Sequence, residues 1–261
     1  MQNQFQRTEM LLGKPAIGTL AQSRVAVFGV GGVGGYVVEV LARSGVGAID
    51  LFDDDTVCLS NINRQIIALH STLGRAKVDV AAERIADINP DCTVTCHRMF
   101  YVVENADQVD LSAYDYVVDC IDTVSAKMEL VRRCTRLNVP ILCCMGAANK
   151  LDPTAFRVAD ISHTKADPIA RVMRRKLAKE GIKHFKCVYS EETPLTPITC
   201  PQTDETPDQP QSAHTPKRNV PTSNAFVPAA EGLVAGGEVV KDLIVSAGTM
   251  RIAETGRERN V

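Results

Sequence analysis

Residues 25–35 read VAVFGVGGVGG, residues 50–55 DLFDDD, residues 60–65 SNINRQ and residues 73–77 LGRAK. The first two stretches decide the fold. A short β-branched run, 24–29 (RVAVFG), ends in glycine, and Val37, Val38, Leu41 and Ala42 then recur at helical spacing over 34–44. Residues 48–53 (AIDLFD) supply a second strand. A β-α-β unit closed in about thirty residues requires a parallel strand pair and a right-handed crossover.

The alternation continues outward. The spacing of Val78, Val80, Ala81 and Ile85 predicts a helix over 75–88, stopped by Asn89-Pro90. Strands are predicted at 92–97, 116–121 and 139–144, with a helix at 124–137 and a further strand at 154–160. Residues 190–224 differ: seven of the thirteen prolines fall there among Thr, Ser, Gln and Asp, which predicts a flexible, irregular loop. Apolar helical sequence returns over 226–247, and that helix needs the earlier sheet to pack on. The expected architecture is therefore α/β, a Rossmann-like doubly wound, mostly parallel sheet with a Pro-rich crossover loop and a C-terminal helix. One domain is expected over 1–261, with a core at 5–189, the loop at 190–224 and the last helix at 225–248.

Composition sets outer bounds. With 45% hydrophobic and 23% charged residues, the chain reads as an ordinary globular protein. No apolar run approaches the roughly 18–20 residues that span a bilayer. The start, MQNQFQRTEM, carries no basic-then-apolar signal. A cytoplasmic protein without membrane association is expected. The formal net charge of −2 does not advertise a polyanion binder. One stretch runs against it: Arg171, Arg174, Arg175, Lys176, Lys179, Lys183, His184 and Lys186 crowd together, either as a local phosphate-binding surface or as a solvated helix face. None of the nine cysteines forms a C-x-x-C pair, so they read as reduced apolar residues rather than zinc ligands.

The chemistry lies in how the motifs are spaced. Gly29, Gly31, Gly32 and Gly34 form G-x-G-x-x-G between a strand and a helix, which brings backbone N–H groups against a phosphate at the helix N-terminus. Asp53, Asp54 and Asp55 end the second strand, where an acidic side chain meets ribose hydroxyls. A hydride-transfer enzyme has no need of the cations that follow, Arg64 in Asn61-Ile62-Asn63-Arg64-Gln65 and then Lys77. A nucleotidyl-transfer site does, because negative charge builds on the phosphates as pyrophosphate leaves. Asp122 follows the 116–121 strand, either as a magnesium ligand beside a triphosphate or as part of the cap of the next helix.

These motifs resemble the ubiquitin-activating-like adenylyltransferases of the ThiF type. Within that superfamily ARSGVGAIDL, NINRQIIALHSTLG, ERIADINPDC, GAANKLDPT and KCVYSEE are similar to the tRNA threonylcarbamoyladenosine dehydratase family. The resemblance implies ATP-dependent cyclisation of threonylcarbamoyladenosine in tRNA next to the anticodon, through adenylation of the threonyl carboxylate, with ATP and Mg2+. By that resemblance Gly29, Gly31, Gly32 and Gly34 hold the nucleotide, and Asp53 and Asp55 its ribose side. Asn61, Arg64, Gln65 and Lys77 take the phosphate side, and Asp122 the magnesium. Arg7 matches an arginine lent to a neighbouring subunit, which implies a homodimer.

An alternative shares every one of these residues: adenylation of the C-terminus of a ubiquitin-like sulfur-carrier protein. Its partner would be a sulfur-transfer protein, with Cys187 or Cys200 as a relay thiol. The missing C-x-x-C pairs weigh against it. A non-catalytic nucleotide sensor would not need Arg64, Lys77 and Asp122 together. An NAD dehydrogenase would need a proton relay, and His70, His97 and His163 are scattered.

Overall fold

A computed structural model describes residues 3–198 and 222–251. Helices α1 (Gln6–Leu12) and α2 (Lys14–Gln22) precede strand β1 (Arg24–Phe28). Then come α3 (Gly34–Ser44), β2 (Ala48–Phe52), α4 (Lys77–Ile88), β3 (Thr93–His97) and β4 (Tyr116–Asp119). The chain continues through α5 (Val124–Leu137), β5 (Ile141–Cys144), β6 (Phe156–Asp160), α6 (Pro168–Ala178), β7 (Lys186–Ser190) and α7 (Val227–Ser246). The strands form one seven-stranded sheet in the order β3-β2-β1-β4-β5-β7-β6, parallel except for β6, which runs against β7. This is the doubly wound architecture expected. Strand order reverses between β1 and β4, and ligands bind above the carboxyl ends of strands at such a switch point.

The central strands are buried on both faces, and their side chains alternate between two cores. Val25 and Val27 of β1 join Leu20, Leu41, Ile85 and Val239 on one side; Ala26 and Phe28 join Leu130 and Met173 on the other. Register near the carboxyl ends is reinforced by ring stacking, Phe28 on Phe52 at 4.2 Å and Phe52 on His97 at 4.1 Å, each pair being register partners. Among the described residues, no helix is long and apolar enough to cross a membrane.

Strands β5 and β6 each begin two residues later than expected, at Ile141 and Phe156, and two further boundaries differ for identifiable reasons. Strand β4 stops at Asp119 rather than 121, because the Ile121 N–H turns to the Asp119 carboxylate (3.1 Å) instead of continuing the ladder. Helix α4 starts at Lys77 rather than 75, because residues 74–77 pair back onto 55–57: the Val57 N–H donates to the Arg75 carbonyl and the Lys77 N–H to the Asp55 carbonyl. Helices α1 and α2 were not announced by periodicity. Of the irregular stretch expected at 190–224, residues 199–221 lie outside the described residues, and 191–198 and 222–226 contain no helix or strand.

Helix α7 closes the α3 side of the sheet through glycines. A Cβ on Gly232 would lie 2.4 Å from the Val33 carbonyl oxygen, and one on Gly236 would lie 2.7 Å from Val40 Cβ. This close approach buries Glu231 completely, and among the described residues neither of its carboxylate oxygens has a hydrogen-bond partner of good geometry. Burial pushes its pKa up to about 8, opposed by Lys150 and Lys127 and assisted by Asp167. The folded carboxyl is therefore protonated at neutral pH, whereas the unfolded one ionises near 4.5. Between these values the unfolded state binds fewer protons, so this group's contribution to stability falls as pH rises from about 4.5 to 8. Glu231→Gln removes that dependence. Denaturant titrations should show the variant gaining about 3 kcal/mol on the parent between pH 5 and pH 8; a gap that does not change with pH would contradict the burial account.

Candidate active site

The glycine loop crosses the switch point because its residues have no side chains. Gly29 has φ +87°, and a Cβ there would meet the Cys120 carbonyl oxygen at 2.8 Å. At Gly34 a Cβ would sit 1.8 Å from the Gly29 carbonyl oxygen. Helix α3 then begins with no side-chain cap; the Gly35 and Tyr36 N–H groups donate to the Gly31 and Val33 carbonyls, and the N–H groups of the turn itself, Gly31 to Gly34, have no partner among the described residues and can meet an anion. That arrangement suits a nucleotide phosphate.

The motif residues collect around this loop. The Asp53 carboxylate accepts from the Val30 N–H at 2.7 Å and the Asp55 N–H at 2.9 Å, fixing the loop to the end of β2. Burial raises the Asp53 pKa, opposed by Lys77 and by those N–H groups. Lys77 is buried at the start of α4, and its Nζ lies 2.6 Å from Asp55 Oδ2, which is more than half exposed. Arg64 Nη1 donates to the Ser60 carbonyl at 2.8 Å and to Asn63 Oδ1 at 2.9 Å, and burial lowers its pKa. The Arg64 stem lies over Gly32, with Cγ 3.5 Å from where a Cβ would be. Asn61 is buried and accepts the Cys58 N–H at 3.2 Å, pinning the turn that presents Arg64. Gln65 is buried beside Gly31, and its Oε1 has no partner among the described residues.

Asp122 is exposed in the turn after β4, and among the described residues its carboxylate accepts a hydrogen bond from the Thr123 hydroxyl alone, at 3.3 Å. It does not cap α5, whose N-cap is Thr123 with no side-chain bond. A free carboxylate suits a hard cation such as magnesium. Asp53, Asp54 and Asp55 offer a second set of carboxylate oxygens, all within 4.8 Å of one another. Arg7 does not join the site within one chain. Its helix is anchored by Phe5 against Gly45, at the far end of α3 from the glycine loop.

Several residues here were not singled out by the sequence. Asp119 and Lys127, both fully buried, pair at 2.9 Å directly beneath the Asp122 turn, and Lys127 also donates to the Cys144 carbonyl at 2.6 Å. The signal was a lysine on the apolar face of α5, between Ala126 and Leu130. Asn149, at φ +61°, gathers both ends of the Pro-rich segment: its N–H donates to the Thr222 carbonyl, its carbonyl accepts the Leu195 N–H, and its side chain accepts from Thr222. Asn224 then caps α7 through the Val227 N–H at 2.8 Å. Cys187 is fully buried, and burial pushes its thiol up to about 12, which unsuits it as a relay nucleophile. Cys200 lies outside the described residues.

The pattern defining the ThiF family matches residues 5–247. The chain belongs to the ThiF family. It is 46% identical over 255 residues to the tRNA threonylcarbamoyladenosine dehydratase of Bacillus subtilis, covering 97% of this chain and 100% of the relative. The solved structure of the E. coli tRNA N6-threonylcarbamoyladenosine dehydratase with AMP superposes with TM-score 0.81 at 35% identity, over 94% of this chain and 95% of that one. The same E. coli enzyme in complex with ATP gives TM-score 0.80 at 34% identity, with the same coverage.

Nucleotide binding should fail when Gly34 acquires a side chain. ATP should raise the melting temperature of the parent, a stabilisation of about 2.7 kcal/mol at a hundredfold excess over Kd. Gly34→Ala should melt lower and lose the ATP shift, whereas Gly237→Ala, with nothing within 4 Å of its added Cβ, should keep it. An undiminished ATP shift in Gly34→Ala would contradict this placement of the phosphate.

Proposed function

We infer that this chain catalyses the ATP-dependent dehydration of threonylcarbamoyladenosine in tRNA. The reading is carried by the convergence of two cations, Arg64 and Lys77, on the glycine loop of a chain that matches a dehydratase over its whole length. The threonyl carboxylate attacks the α-phosphate of ATP, and the bond to pyrophosphate breaks. The carbamoyl group closes on the acyl carbon, the bond from that carbon to AMP oxygen breaks, and the proton released by the closing group passes to solvent. The oxygen formally lost as water thus leaves on AMP. Adenylation matters because a carboxylate oxygen leaves poorly until it is bound to phosphorus.

We assign roles on that basis. Gly29, Gly31, Gly32 and Gly34 cradle the nucleotide, with Asp53 and Asp55 toward its ribose. Asn61 and Gln65 hold the turn that carries Arg64, and Arg64 and Lys77 stabilise charge developing on the phosphates. Asp122 would hold a magnesium ion, which supplies charge neutralisation at the triphosphate. Arg7 lies remote from its own site, in keeping with a role in a partner's site within a homodimer. We read residues 1–261 as one adenylating domain, working in the cytoplasm where its tRNA substrate is.

The sulfur-carrier alternative shares these residues, but the burial of Cys187 counts against it as the relay thiol, and no C-x-x-C pair offers a zinc site. Incubation with ATP, magnesium and modified tRNA should yield AMP and a nucleoside lighter by one water. AMP formation that depends only on a carrier protein would overturn the reading. Arg64→Ala and Lys77→Ala should each slow AMP formation by about 100- to 1000-fold. Melting temperatures should hardly change, because Asp55, freed of Lys77, is already open to water. Near-normal turnover in both variants would refute their roles.

A further inference from the structure

The cation-rich stretch noted in the sequence sorts into two groups. Three members are occupied internally: Arg174 donates to the Ile161 and Thr164 carbonyls, Lys186 pairs with Glu238 and Asp242, and His184 lies 3.2 Å from Asp160. The other five, Arg171, Arg175, Lys176, Lys179 and Lys183, are exposed. Among the described residues, none of the five has a carboxylate within ion-pair distance. Several surface arginines elsewhere are paired, Arg43 and Arg84 with Glu39, Arg98 with Asp79 and Arg132 with Glu180, whereas the exposed cations that are not, such as Arg7, Lys14, Arg136 and Lys165, are spread along the chain rather than aligned on one helix face.

Helical geometry aligns the free group. Ala170, Met173 and Leu177 bury one face of α6, and Arg171, Arg175 and Lys179 follow one another every four residues on the opposite face. At about 1.5 Å per residue the three span about 12 Å. The stripe begins at the rim of the site. Asp167 caps α6 through the Ala170 N–H at 2.9 Å while receiving Lys150 Nζ at 3.2 Å, and Ile169 packs on Gly146, two residues beyond β5. Arg171, Arg175 and Lys176 on the helix and Lys179 at its C-cap repel each other, and the described residues offer them no counterion within ion-pair distance. A polyanion that supplies several negative charges in sequence would. The exposed face carries no large apolar side chain for a lipid surface to take up.

We propose that the outer face of α6, with Lys183 beyond its end, docks the phosphate backbone of the tRNA and leads the modified nucleoside into the nucleotide site. The assignment rests on the tRNA reading above and names the surface that reading requires. These contacts position the RNA and carry no sequence specificity.

The full-length protein and Arg175→Gln/Lys179→Gln are compared for binding of fluorescently labelled tRNA across a salt series. Losing two phosphate contacts should lower the slope of log affinity against log salt by about 2, with affinity falling about tenfold at low salt. KM for modified tRNA should rise in parallel, while KM for ATP and kcat stay unchanged. Arg43→Gln, removing a paired surface arginine on α3, should leave every value as in the parent. An unaltered slope and KM in the double variant, with circular dichroism showing a native fold, would overturn the proposal. So would a defect confined to a carrier protein with tRNA binding intact. Binding is read without turnover: a parent that binds tRNA along this face yet does not dehydrate it sinks the proposed function and not the surface.

Discussion

The fold turns on an approach too close for any side chain. At Gly34 the start of α3 lies so near the Gly29 carbonyl that a Cβ would be 1.8 Å from its oxygen. That contact holds the start of α3 against the loop at the switch point, where the Gly31 to Gly34 N–H groups have no partner among the described residues. The same economy of side chains recurs at Gly232 and Gly236, which let α7 lie against Val33 and Val40. Glycine here costs conformational entropy in the unfolded chain. Burial of Val37, Leu41, Val239 and Leu243 in a common core offsets it.

Charge is distributed around this frame in two ways. Beneath the site, Asp119 with Lys127 and Lys150 with Asp167 are buried pairs. Such pairs add little net stability, but losing one partner is costly, so they fix the turns that carry Asp122 and the segment after β5. At the site itself, among the described residues, Arg64 donates only to a carbonyl and an amide oxygen, and Lys77 forms its ion pair with the exposed carboxylate of Asp55 while also facing Asp53. Arg64 is thus held in place without a carboxylate partner and Lys77 by one open to water, which suits a phosphate-handling site.

Much of this was legible in the chain, because the glycine motif, the acidic strand end and the alternating apolar runs are local patterns. The parallel sheet followed from strand and helix periods alone. What escaped the sequence was long-range. Lys127 reads as a blemish on an apolar helix face until Asp119 is placed beneath it, and Asn149 reads as a loop residue until both ends of the Pro-rich segment meet it. Nothing local in the sequence marks Glu231 for burial, and the close packing of α7 buries it. The basic stretch could not be sorted from sequence, since which of its members are free depends on where Glu238, Asp242 and the 161–164 turn lie.

The central claim is that the substrate carboxylate, and not a phosphate or water oxygen, becomes bonded to the α-phosphorus of ATP. Threonylcarbamoyladenosine in tRNA labelled with 18O in both threonyl carboxylate positions, turned over with ordinary ATP, tests this by mass spectrometry of the products. One 18O per turnover should appear in AMP, with pyrophosphate unlabelled. Label released into water or inorganic phosphate, with AMP unlabelled, would contradict the account.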